Sequence, residues 1–167
     1  MNSEELRSLQ TPLKERYRAE PDSAIVTLKA EGKIGEGISC KVETHGALVK
    51  AGLHPATGGT GMLACSGDLL LEALVACAGV TLNAVATALG IEIKDATVRA
   101  EGDIDFRGTL AVSKEVPVGF KKIRLCFLLE TDAGQEQIAT LLKLTERYCV
   151  VYQTIVGGTA IETSVTH

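Results

Sequence analysis

The chain has 167 residues, of which 46% are hydrophobic and 23% are charged, and this length and composition predict one globular domain with its own core. The net charge is −4 and acidic and basic residues are interspersed, which excludes the dense basic surface of nucleic-acid binding proteins. Residues 1–18 are polar and charged and lack the apolar stretch of a secretory signal, so we expect a cytoplasmic protein.

Residues 1–20 predict a helical arm at the surface, and residues 21–167 predict a single α+β domain. Alternating apolar and polar residues predict two strands, at 25–30 and 38–42, which a glycine-containing turn joins as a hairpin. A loop follows at residues 52–61, where glycine, proline and threonine predominate.

Residues 68–89 predict a helix that is apolar on nearly every side, with Ser66 as N-cap and Gly90 at its end. Residues 73–91 carry no charge, so the segment has to be considered as a membrane span. Its many alanines, Asn83 and the lack of flanking basic clusters favour a buried helix, and we expect no membrane contact.

Residues 93–106 and 122–130 alternate with period two and predict half-buried antiparallel strands. A capping box at Asp132 indicates the start of an amphipathic helix. A short helical piece at 150–156 ends at a glycine pair, and residues 160–166 predict a last strand.

This order of elements is typical of an α+β fold. The other predicted helices and hairpins are too few to enclose residues 68–89, whose helix needs apolar neighbours on all sides. A second copy of the chain would cover what one copy leaves open, so we expect a homodimer.

Thiols are the residues whose chemistry is worth weighing, because no serine nucleophile elbow and no phosphate-binding glycine loop occurs. The five cysteines are Cys40, Cys65, Cys77, Cys126 and Cys149. The three histidines are not spaced as zinc ligands, so we expect no metal and no other cofactor. A reducing compartment disfavours structural disulfides, which leaves buried or reactive thiols.

Cys40 alternates with apolar neighbours and is interpreted as a core residue, and Cys126 as a structural or surface residue. Cys65 precedes the predicted N-cap, where the helix dipole lowers a thiol pKa. Cys77 lies in mid-helix among small residues, where burial raises the pKa of a thiol unless a cation lies nearby. Cys149, beside an apolar run, is as good a candidate for reactivity as Cys77.

Two segments resemble the OsmC/Ohr family. Residues 67–86, GDLLLEALVACAGVTLNAVA, resemble the family's signature helix with its cysteine, and residues 146–155, ERYCVVYQTI, resemble its second cysteine motif. The order of elements agrees from about Ala24 onwards. The resemblance implies an intertwined homodimer in which antiparallel sheets of both subunits wrap central buried helices.

The resemblance also implies a thiol-dependent peroxidase that reduces organic hydroperoxides, with hydrogen peroxide as a further substrate. Cys77 would be the peroxidatic thiol and Cys149 the resolving thiol, so that a sulfenic acid on the first condenses to a disulfide with the second. An external dithiol would restore the reduced enzyme.

Two groups that assist the thiol in this family differ here. Gly67 stands where the organic-hydroperoxide branch has a glutamate, and Asp68 or Glu72 could substitute for it. The branch takes an arginine from its first hairpin, where this chain offers Lys33, while Arg18 lies a little upstream. The candidates for activating or supporting the thiolate are therefore Lys33, Arg18, Asp68 and Glu72.

Two further positions bear on the second thiol. The family's proline after the second cysteine is Val150 here, a change expected to affect helix entry more than chemistry. Cys65 is an extra thiol that could compete with Cys149 as the resolving residue. The alternative function is a non-catalytic dimer of this fold that binds a small hydrophobic ligand or senses oxidants, and a third interpretation makes all five cysteines structural.

Overall fold

The computed structural model describes residues 3–34, 40–42, 52–62 and 64–165. Five α-helices and four strands make up this part of the chain, with short 3-10 turns at Pro21–Ala24 and Pro55–Thr57. In chain order they are α1 (Ser3–Ala19), β1 (Ile25–Ile34), β2 (Cys40–Val42), α2 (Ser66–Leu89), β3 (Asp95–Asp105), α3 (Phe106–Thr109), β4 (Phe120–Glu130), α4 (Gln135–Tyr148) and α5 (Val150–Gly157).

The strands form one antiparallel sheet in the order β2-β1-β3-β4. Buried and less buried residues alternate along β3, as the period-two pattern predicts for a strand with one face on the core. The α+β class is confirmed, and so is the hairpin of β1 and β2, in which Ile34 pairs with Cys40. Residues 38 and 39 of the predicted second strand lie outside the described residues.

Helix α2 packs against the sheet and against α4 and α5. Its buried side carries aliphatic residues such as Leu71, Val75 and Leu82, so the length and hydropathy that would suit a membrane span belong to a core helix. Gly90 ends α2 in the left-handed conformation at a φ of 67°, as predicted. The helix begins two residues earlier than predicted, and Cys65 rather than Ser66 is its N-cap residue.

Helix α1 is anchored at its carboxyl end. Tyr17 is fully buried in the main core, and its hydroxyl donates a hydrogen bond of 2.6 Å to the carbonyl oxygen of Ala56. Pro12 lies inside α1 without ending it, while side chains such as Glu15 and Arg18 are exposed. The contact of Tyr17 therefore ties the amino-terminal helix to the loop that leads into α2.

Two predictions near the carboxyl end are wrong. Asp132 does not cap α4 but forms an ion pair of 2.7 Å with Lys94, and the first turn is closed instead by a hydrogen bond of 3.0 Å from the Gly134 N–H to the Gln137 side chain. The predicted strand at 160–166 is absent over residues 160–165, because no described strand pairs with them.

Replacing Tyr17 with phenylalanine tests the anchoring of α1. The change removes the donor to the Ala56 carbonyl oxygen, so we expect the free energy of unfolding in urea to fall by about 1 to 2 kcal/mol. Tyr148→Phe is the matched control, because Tyr148 is exposed. Equal stability of the two variants would contradict an anchoring role for the Tyr17 hydroxyl.

Candidate thiol site

The contact between α2 and α5 brings Cys77 and Cys149 together. Cys77 lies in the middle of α2 and is half-buried, whereas Cys149 is the residue between α4 and α5 and is 1% exposed. Both thiols are free, and they lie close enough for each to shift the pKa of the other. The two cysteines are far apart in sequence, so the packing of the helices alone creates this pair.

Cys149 is held by its position at two helix ends. Its N–H donates to the Thr145 carbonyl oxygen at 2.9 Å, which ends α4. Its sulfur accepts a hydrogen bond of 3.4 Å from the Tyr152 N–H, and its carbonyl oxygen accepts one of 2.9 Å from the Gln153 N–H, which together begin α5. The orientation of the Cys149 sulfur is therefore fixed by main-chain groups.

Opposing influences act on the Cys77 thiol. Burial raises its pKa, but the main-chain N–H groups of Val151 and Val150 and the side chains of Cys149 and Thr81 hydrogen-bond to the sulfur and outweigh burial. The pKa of Cys77 is therefore lower than that of an ordinary cysteine. Donors of this kind favour the charged form of a group, and a thiolate is the nucleophilic form of cysteine.

The pKa of Cys149 is shifted in the opposite direction, upwards. The pKa of its thiol is raised to about 11, first by burial and then by the hydrogen bond and the charge of the neighbouring Cys77, against the opposing N–H groups of Tyr152 and Val151. Of the two thiols, Cys77 is therefore the one that ionises at the lower pH, while Cys149 keeps its proton at neutral pH. Such a division of roles between two like groups is a mark of a reactive site.

The acidic candidates lie away from the Cys77 sulfur within one protomer. Asp68 precedes Cys77 by nine residues of α2, which is about 13 Å of helical rise. Asp68 interacts electrostatically with His54. Glu72 is about 140° around the helix from Cys77 and is only 8% exposed, with a partner of its own. Gly67, in the first turn of α2, is as remote as Asp68.

The cationic candidates are not among the groups that act on Cys77 in the part of the chain that the structure describes. Arg18 is exposed near the end of α1. Lys33 lies in β1 opposite Thr97 of β3, and its side chain is outside the description. The donors that lower the Cys77 pKa there are main-chain N–H groups of α5, a thiol and a hydroxyl. The sequence analysis considered only charged side chains as the groups that lower the pKa of Cys77. It did not identify the main-chain N–H groups of α5.

The remaining thiols are remote or differently placed. Cys65 precedes Cys77 by twelve residues of α2, or about 18 Å, whereas a disulfide needs Cα atoms about 4 to 7 Å apart. Cys65 therefore cannot resolve Cys77 within one protomer. Cys126 is exposed on β4, as the sequence suggested, and Cys40 lies in β2 with its side chain outside the described residues.

A cavity of about 500 Å³ is lined by residues of α2, β4, α4 and α5, and neither Cys77 nor Cys149 is part of its lining. Tyr152 belongs to its wall and donates its N–H to the Cys149 sulfur, and Leu74 of the wall lies about one helical turn before Cys77. The lining consists of Leu74, Ile123, Leu125, Cys126, Phe127, Leu142, Glu146, Tyr152, Ile155 and Val156. Most of these side chains are apolar, so the cavity suits an apolar ligand.

One face of α2 is left uncovered on either side of Cys77. Leu70, Ala73 and Val80 are exposed, and Ala84 and Thr87 continue the same stripe at helical spacing. This stripe runs along a helix whose other side is core. An uncovered apolar stripe of this kind is typical of a surface that meets another protein chain.

The fold and the site together define a class of protein, namely an α+β domain whose apolar core helix carries a thiol that meets a second thiol at a helix start. The family model described as "OsmC-like protein" matches residues 59–164. The chain therefore belongs to the OsmC-like family. No curated protein matches the sequence.

Two solved structures are similar to this fold. An OsmC-like hydroperoxide resistance protein from Jannaschia sp. CCS1 has a TM-score of 0.58 at 17% identity, covering 84% of this chain and 91% of that one. An OsmC-like protein from Mycoplasma pneumoniae has a TM-score of 0.57 at 18% identity, covering 80% of this chain and 86% of that one. At these identities the likeness shows the fold alone.

Alkylation of the native protein tests the difference between the two thiols. We expect iodoacetamide at pH 8 to modify Cys77 at least tenfold faster than Cys149, because a pKa of about 11 leaves about one Cys149 thiol in a thousand ionised. Peptide mass spectrometry after timed quenching gives both rates, and denatured protein is the control in which both thiols react. Equal rates in the native protein would contradict the asymmetry.

Proposed function

We propose that this protein is a cytoplasmic thiol-dependent peroxidase that reduces organic hydroperoxides, and also hydrogen peroxide, through Cys77 and Cys149. The observation that carries the proposal is the contact between a thiol with a lowered pKa and a second thiol that keeps its proton. A thiolate is the form of cysteine that attacks a peroxide, and a nearby second thiol prevents irreversible overoxidation.

The proposed cycle has three steps. The Cys77 thiolate attacks the outer oxygen of the hydroperoxide, so that an S–O bond forms, the O–O bond breaks, and the alkoxide leaves and takes a proton from solvent. The Cys149 sulfur then attacks the sulfenic acid; an S–S bond forms and hydroxide leaves as water with the Cys149 proton. An external dithiol supplies two electrons and two protons to restore both thiols.

The apolar cavity that Tyr152 shares with β4 and α4 supports an organic substrate. Its wall is formed by apolar side chains of β4, α4 and α5, which favour burial of a hydrocarbon chain over water. Hydrogen peroxide offers no apolar group to this wall. A preference for organic hydroperoxides follows from burial of the substrate's carbon chain.

Single-turnover oxidation tests the peroxidase. We expect one equivalent of cumene hydroperoxide to oxidise the reduced protein rapidly, and faster than hydrogen peroxide does, with a Cys77–Cys149 disulfide located by mass spectrometry. Cys149→Ser should stop at a sulfenic acid that dimedone traps on Cys77. Cys65→Ser is the matched control, because serine is a good N-cap and Cys65 lies about 18 Å from Cys77. Slow oxidation without a Cys77–Cys149 link would contradict the proposal.

The protein is proposed to act as a homodimer in which the uncovered stripe of α2 meets a second copy. The stripe lies on both sides of Cys77, so the second copy would complete the surroundings of the thiol. We expect light scattering to give two copies for the native chain and one for Val80→Lys, because a buried lysine at this interface would lose its hydration. Val118→Lys, an exposed valine before β4, is the control. A dimeric Val80→Lys would place the interface elsewhere.

A second candidate function is the binding of a small hydrophobic ligand, or the sensing of oxidants, without efficient turnover. The volume of the cavity supports it, as does Gly67 where the resembling branch has its glutamate. Slow and unselective oxidation in the single-turnover experiment, together with saturable binding of an apolar fluorescent dye that a long-chain alcohol displaces, would favour this function.

A further inference from the structure

The loop that precedes α2 contains a 3-10 turn whose first residue is a proline. Pro55 has no N–H, so the N–H of Ala56 is the first donor of the turn that needs an acceptor. His54 supplies it, because the Nδ1 atom of its imidazole accepts the Ala56 N–H at 3.0 Å. The His54 carbonyl oxygen also accepts the Thr57 N–H at 2.8 Å and the Thr57 hydroxyl at 2.9 Å. His54 therefore closes the turn with both its side chain and its main chain.

The same turn carries the acceptor that anchors α1. The Ala56 carbonyl oxygen accepts the hydrogen bond of 2.6 Å from the Tyr17 hydroxyl, and the Arg16 guanidinium donates to that hydroxyl at 3.4 Å. Tyr17 is fully buried, so its hydroxyl proton has no water to turn to if the Ala56 carbonyl oxygen moves away. Ala56 thus joins the two contacts, with its N–H on the His54 imidazole and its carbonyl oxygen on Tyr17.

The His54 imidazole is held in place by an aromatic ring. It stacks on Phe106, with ring centroids 5.0 Å apart and planes 16° from parallel. Phe106 is buried in the main core, so it offers a fixed surface to the imidazole. The stacking keeps the imidazole in the loop and maintains the position from which Nδ1 meets the Ala56 N–H.

Charged groups surround the turn on three elements. The turn contacts α1 and α3, where Arg16 is directed at the neighbouring tyrosine and Arg107 is paired with the buried Asp105. In the part of the chain that the structure describes, Asp68 of α2 is the charged group that acts on His54, and it raises the pKa of the imidazole. Burial is the larger influence and lowers the pKa of His54 below the ordinary value of 6.5. At neutral pH the imidazole is therefore uncharged and Nδ1 can accept.

We propose that His54 is a pH-sensitive latch, which holds the 3-10 turn and, through Ala56, the end of α1 only while its imidazole is neutral. A protonated Nδ1 is a donor, so two donors would then face each other at the Ala56 N–H. Serine, threonine, asparagine and aspartate, the usual residues at such a position, keep an acceptor at pH 5.5, whereas histidine loses its own. The latch does not involve the thiols and goes beyond the proposed function.

The direction of the pH dependence follows from the two states of the turn. In the opened turn the His54 imidazole has its ordinary pKa of 6.5, whereas in the closed turn its pKa is lower. The opened turn therefore binds the proton more tightly, so the latch is fully present above pH 6.5 and is lost as the pH falls below it. At pH 5.5 the opened turn holds about ten protonated imidazoles for each neutral one, which makes opening at most about tenfold more frequent.

Hydrogen exchange of the full-length protein at pH 7.5 and 5.5, corrected for intrinsic rates, tests the latch. In the native protein we expect the protection of residues 14–19 and 54–59 to fall several-fold at pH 5.5, and at most about tenfold. His54→Asn should keep its protection at both pH values, because an asparagine side chain accepts the same N–H without titrating. His54→Phe keeps a ring against Phe106 but has no acceptor, so its protection should be low at both pH values. Strand β3 is the internal control, whose protection should stay unchanged.

Each outcome decides one part of the inference. Equal losses of protection in the native protein and in His54→Asn would overturn the latch, because His45 and His167 titrate in both proteins. A loss confined to residues 54–59 would overturn the link to α1. Native protection in His54→Phe at pH 7.5 would overturn the role of the acceptor. If His54→Phe does not fold, the native protein and His54→Asn decide alone, and no readout depends on peroxide reduction.

Discussion

The contact between the Cys77 sulfur and the start of α5 is the interaction on which the site depends. Without it, Cys77 would be a partly buried thiol whose pKa burial raises. The N–H groups of α5, together with the side chains of Cys149 and Thr81, lower the pKa of Cys77 below its ordinary value despite burial. The remaining architecture can be understood as the means of holding one helix start against the middle of another helix.

Two layers of packing hold that contact. Helix α2 is fixed by its aliphatic side against the sheet, and α4 is fixed against α2 through Leu141, which shares a buried cluster with Leu82. Because Cys149 ends α4 and begins α5, the position of α4 determines where the first turn of α5 lies. Cys149 itself belongs to the main core with Leu74 and Ala78, so the second thiol is positioned as a core residue.

The sequence contained most of the fold but only part of the site. Period-two patterns and glycine stops predict β3, β4 and the ends of α2 and α5, because these signals are local. The interpretations of Asp132 and of residues 160–165 failed because they depend on long-range partners: Asp132 pairs with Lys94, and no strand in the described part of the chain pairs with residues 160–165. The N–H groups of α5 carried no signal of their own, since every residue except proline has one. The one sequence feature that pointed to these N–H groups was the short helix predicted directly after Cys149.

In the proposed cycle, the same electrostatics would set the order of the two thiols. Burial raises the pKa of Cys149, and the negative charge of Cys77 and its hydrogen bond raise it further. Conversion of Cys77 to a sulfenic acid removes that charge, so the influence of Cys77 on the Cys149 proton disappears while burial remains. Cys149 would therefore ionise more readily once Cys77 is oxidised, and its N–H partner at Tyr152 favours the charged sulfur. The resolving thiol would stay inert until the sulfenic acid it must attack has formed.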